Sequence, residues 1–232
     1  MVLTSKHAVV GDEDHRPRGT ITIRFGDGMN YDFTSTHHPN MIPTDIYMTD
    51  VIDQVDPCRH PLYGHKGRKR VYIGWHHKKQ GWHTLEGYIA VKWVAAWKDI
   101  PTQKQDILRL KRERDNYDRL KCLQGRVIPW LLDYITGVFE DVTVACMILE
   151  RCGSELPRDL ALRKERKREI TEQFHASGWL HGSIGISDEN FTAIDRQDGD
   201  PPNTTRLVSL ALARRIDGDD TSRDEELSRA SQ

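Results

Sequence analysis

The chain has 232 residues, 37% of them hydrophobic and 30% charged, which is room for one medium domain or two small lobes. Lys+Arg 34 stand against Asp+Glu 35 for a formal net charge of -1, so no basic field favours nucleic acid as a partner. No apolar run approaches a membrane span, Met1–Gly11 lacks a long apolar secretion segment, and Cys58, Cys122, Cys146 and Cys152 show no paired spacing. These features predict an intracellular protein, cytoplasmic or nuclear, with no membrane partner.

The first predicted elements are strands. Thr20–Phe25 alternates, Gly26-Asp27-Gly28 supplies a turn, and Tyr31–Phe33 returns. Ile46–Val55 reads as a further extended piece, followed by a basic, turn-rich stretch over Pro57–Arg70. Val71–Trp75 and Tyr88–Val94 read as strands with a loop between them. Gln103–Gln124 reads as a helix, because Ile107, Leu110, Tyr117, Leu120 and Leu123 recur near helical spacing and Gly125 supplies a stop. Val127–Tyr134 and Val142–Leu149 are two more strands, and Leu160–His175 is a second, highly charged helix ended by Gly178. Two short apolar runs follow, Phe191–Ile194 and Arg206–Ala213, separated by a polar turn over Asp195–Pro202. Beyond Ile216 the chain is acidic and polar and is expected to fray. Strands, helix, strands, helix and short strands in that order predict an α+β class.

Several residues stand out chemically. Lys92 interrupts an apolar strand, and a buried ammonium needs an anionic partner; Glu113 on the following helix is the candidate. Arg163–Arg168 is a basic run on a helix, read as a solvated face. Cys58, His60 and His65 cluster without a zinc-finger register, so they read as solvated loop residues. Trp75, Trp82, Trp93 and Trp97 are expected to build a core.

Ile89-Ala90-Val91-Lys92, then Glu113 with Leu123-Gln124-Gly125, Met147–Gly153, Trp179-Leu180-His181-Gly182, and the pair Phe191–Asp195 and Leu207–Ala211 follow one another at spacings that resemble the protein-kinase family. The likeness is strongest to the divergent kinase-like proteins of basidiomycete fungi, and it covers roughly Gly67 to Ile216. It implies a protein kinase-like fold, with a β-rich N-lobe carrying a C-helix and a truncated helical C-lobe. The implied division is an N-terminal β-rich extension over 1–66, a kinase-like N-lobe over 67–152, a partial C-lobe over 153–216 and a polar tail over 217–232.

The resemblance also assigns roles. Lys92 and Glu113 become the phosphate-binding lysine and its partner. Glu150 and Cys152 lie at the last N-lobe strand and hinge, and Gly67 lies in a poor glycine-rich loop. Ser183 stands where the family has its catalytic aspartate, beside His181, with Asp188 as a replacement in the same loop. Asn190 stands as the loop asparagine displaced by an insertion, or Asp188 takes that place by count. Ser209 replaces the metal-holding aspartate. A hydroxyl supplies neither the charge nor the proton acceptor that a carboxylate does.

The implied function is therefore that of a pseudokinase without transferase activity, acting through a protein partner. ATP is held weakly or lost, and magnesium lacks its main carboxylate ligand. Two alternatives stay open: a divergent ATP-dependent phosphotransferase that recruits Asp188 or Asn190, and an interaction domain with no nucleotide pocket.

Overall fold

The computed structural model describes residues 16–25, 28–51, 70–76, 87–152, 156, 159–184, 190–193, 205–217 and 221–231. Seven strands form one sheet: β1 (Thr20–Arg24), β2 (Asn30–Thr34), β3 (Thr44–Val51), β4 (Arg70–His76), β5 (Gly87–Trp97), β6 (Leu131–Phe139) and β7 (Val142–Glu150). Their spatial order is β2-β1-β3-β4-β5-β7-β6. Every neighbouring pair is antiparallel except β1 and β3, which run parallel.

The sheet curls until its two edges meet. β2 lies against β6, and side chains stitch the seam. Ser35 donates to Asp133 at 2.5 Å, Thr36 donates to the Tyr134 carbonyl at 3.2 Å, and His38 Nε2 lies 3.1 Å from the Leu132 carbonyl. Register shifts at Met48/Asp50 and at Leu131/Asp133 add local bend and twist. Gly74 lets the wall close up. A Cβ there would stand 2.8 Å from Ile46 and 3.2 Å from Ile89.

The strands divide their side chains between two cores, as a period of two requires. On β5, Ile89, Val91, Trp93 and Ala95 face the inside of the curl, while Ala90 and Val94 face the helices. The inside is aromatic. Phe25, Tyr31, Phe33 and Phe139 pack mostly edge-to-face around one another and Trp93, at centroid distances of 4.9–6.0 Å. Trp93 is 1% exposed, as the sequence led us to expect. Trp75 is only partly buried, and Trp82 lies outside the described residues.

The helix-side core is covered by α1 (Pro101–Arg119), α2 (Leu160–Ala176) and α3 (Ser222–Ala230). Proline at the first turn of α1 needs no hydrogen-bond donor there. Its buried residues Gln103, Leu110, Glu113, Asn116 and Tyr117 fall on one face. α2 is capped by Asp159, whose carboxylate accepts from the Leu162 amide at 2.9 Å. Two small ribbons complete the fold. β8 (Trp179–Leu180) pairs with β11 (Arg214–Arg215), and β9 (Phe191–Ala193) pairs with β10 (Thr205–Leu207).

The fold is thus mixed α+β, but the two-lobed, kinase-like arrangement expected from the sequence is corrected. A seven-stranded, near-closed barrel forms instead of an open β-rich lobe, and three α-helices stand among the described residues. The physical reason is that β1 to β3 complete the same curled sheet as β4 to β7, with β2 closing on β6. The segment expected to fray carries α3, whose Glu226 and Ala230 are buried.

Candidate functional site

The alternation along β5 places Lys92 on the helix side, opposite α1. Its Nζ meets Glu113 Oε1 at 2.5 Å, and Glu113 is 4% exposed. The same Glu113 oxygen accepts from the Leu210 amide at 3.1 Å. Asn116, three residues further along α1, donates to the carbonyls of Leu210 and Ala213 at 2.8 and 3.1 Å. One face of α1 therefore grips both β5 and the tight turn over Leu210–Leu212. Ser209 enters that turn in the left-handed region, at φ 67 and ψ 51.

A second cluster sits just upstream of that turn. His181 Nε2 is 2.8 Å from the Val208 carbonyl. A carbonyl only accepts, so Nε2 carries the proton. Burial holds the imidazole below its ordinary pKa, against the opposing Val208 bond and the Glu226 carboxylate. Nδ1 is then an acceptor, and Ser183 Oγ donates to it at 2.9 Å. Asn190 Nδ2 donates to the Ser183 carbonyl at 2.9 Å, and the Asn190 carbonyl accepts from the Val208 amide at 2.9 Å. The three residues Val208-Ser209-Leu210 join this cluster to the Lys92–Glu113 pair.

Sequence reasoning missed the residue that organises this region. Glu226 of α3 accepts from the amides of His181 at 3.1 Å and Gly182 at 2.5 Å, and from His175 Nε2 at 2.9 Å. Burial alone would raise its pKa, but the bonds from His175, Gly182 and His181 together hold it below the usual glutamate value. No sequence signal marks Glu226, because it sits in a charged, low-hydropathy stretch. Gly182 has φ +82, and a Cβ there would stand 2.5 Å from the Leu212 carbonyl oxygen. Gly182→Ala is therefore expected to destabilise the fold by about 2 kcal/mol, read as a lowered urea midpoint.

The hydrogen bonds of Glu150 and Cys152 go to neither cluster. Glu150 Oε2 accepts from the Trp130 amide at 3.0 Å, tying the start of β6 to the end of β7. Burial, and then the Glu150 charge, push the Cys152 thiol well up, so it is a poor nucleophile. Gly67 and Asp188 lie outside the described residues, as do Cys58, His60 and His65. Among the described residues no group of three or more His, Cys, Asp or Glu stands close enough to hold a metal ion. No described helix is long and apolar enough to cross a membrane.

No family model matches the chain, and no curated protein matches it. The fold corrects the pseudokinase reading, with the kinase, ATP-binding and transferase character attached to it. The near-closed barrel is not the two-lobed frame which that reading requires. The described residues assemble no acidic cluster for a metal on the nucleotide phosphates. Of the readings weighed from the sequence, the interaction domain without a nucleotide pocket agrees best with the structure.

Proposed function

We propose that this chain is a non-catalytic interaction domain that engages a protein partner without nucleotide or metal. The observation that carries the reading is the mutual engagement of its conspicuous polar groups. Glu113 holds both Lys92 and the Leu210 amide, and His181 and Asn190 bond to Ser183 and to the Val208 backbone. These contacts fasten the 208–213 segment to α1 and to the residues after β8. They make a rigid platform, as a binding surface needs.

Thermal unfolding with ATP, with and without magnesium, tests this. Ligand at about 100 times its Kd would contribute about 2.7 kcal/mol, or roughly 5–10 °C for a domain of this size. The expected result is no shift in either condition. A shift of several degrees, measured against each variant's own baseline and abolished in Lys92→Met, would overturn the reading.

A further inference from the structure

Resting on the interaction-domain reading, the geometry points to the kind of partner: we infer that an arginine-walled groove between α1 and the β8–β11 ribbon binds an acidic peptide segment of another protein. The groove encloses about 330 Å³. One wall is the α1 face bearing Arg112, Asn116 and Arg119, which recur at helical spacing. The other wall is the ribbon, with Arg214, Arg215 and Trp179. Four of the lining residues are arginines and none is acidic.

Three observations favour this occupant. The first is charge. None of the three acids on this half of α1 lines the groove: Glu113 is held by Lys92, and Asp115 and Asp118 pair with Arg114 at 3.1 and 3.2 Å. Arg112 and Arg119 are exposed and make no ion pair with a described residue. The second is geometry. Guanidinium forks match carboxylates two bonds at a time. Arg215 is already held 5.9 Å over the Trp179 ring, which lowers the ordering cost of its long side chain. The third is rigidity. The two walls are bolted together beneath the groove by Asn116, through its bonds to Leu210 and Ala213. With a net charge of -1 the chain has no overall basic field to draw a nucleic acid, and a short groove fits a peptide rather than a nucleic-acid backbone.

The test is fluorescence anisotropy with a labelled peptide of about ten glutamates, at about 50 and 300 mM NaCl. The wild-type chain is expected to bind it, more weakly at the higher salt. Arg112→Ala/Arg119→Ala should weaken binding by at least about tenfold while melting as the wild type does. Arg168→Ala, on the exposed face of α2, should leave it unchanged. The proposal is overturned by absence of wild-type binding, or by equal loss in Arg168→Ala. Tighter binding of a single-stranded oligonucleotide of equal charge also overturns it. So does binding that appears only after Asp217, Asp219 and Asp220 are changed to Asn, which would give the groove to this chain's own segment. The assay contains no nucleotide. A failed peptide thus removes the groove alone, and a Lys92-dependent nucleotide shift removes the reading beneath it.

Discussion

Glu113→Ala is expected to lower the unfolding free energy by about 4 kcal/mol. The change strands the Lys92 ammonium in a site where that side chain is 16% exposed. It also leaves the Leu210 amide, buried under α1, without its acceptor. The cause is separable from simple loss of packing. In Lys92→Met/Glu113→Leu both charges go together, so the double variant should lose clearly less than the sum of its two single changes. Urea denaturation of the four proteins measures this. Strict additivity would show that the two charges do not depend on each other, and that the loss in Glu113→Ala is packing alone.

The second large effect falls on α3. Glu226→Ala removes a buried acceptor used by two backbone amides and by His175, and should cost about 3 kcal/mol. Two depressed pKa values make the fold weaker in acid, and the raised pKa of the buried Asp133 carboxyl opposes them without cancelling the Glu226-dependent difference between variants. The Glu226 carboxyl is held below its ordinary 4.5, so its stabilisation is complete above that value and disappears as acid protonates the folded state. Burial holds His181 below its ordinary 6.5. The unfolded chain therefore takes up a proton first, and stability declines as pH drops from 6.5 toward the lower folded value. The wild-type melting temperature should thus fall in two stages on acidification. In Glu226→Gln the stage near and below pH 4.5 should be reduced while the upper stage persists. A single stage unchanged by the substitution would sink this account.

Much of the chain was readable in advance where local pattern and tertiary role agree. The apolar run of β5, the stripe of α1 and the alternation of Tyr31-Asp32-Phe33 in β2 each carry their own period. Lys92 announced a carboxylate because a lone charge in such a strand is costly. The curl of the sheet was not readable. Its seam joins Ser35 to Asp133, and Thr36 to the Tyr134 carbonyl, each 98 residues apart, through side chains with no distinctive spacing. The parallel pairing of β1 with β3 is likewise a matter of the chain's path. α3 was mistaken for a loose tail because its composition is polar. What holds it is the docking of Glu226 and Ala230, a contact invisible to hydropathy. The kinase likeness rested on short motifs, and short motifs do not specify how strands close.

The way the outer strands β2 and β6 turn toward each other has a consequence for recruitment. Each edge strand therefore has the other beside it, with side chains from Ser35, Thr36 and His38 bridging to β6. An extended segment from another molecule finds no open rail there on which to add itself as an eighth strand. The same arrangement guards against sheet-to-sheet aggregation.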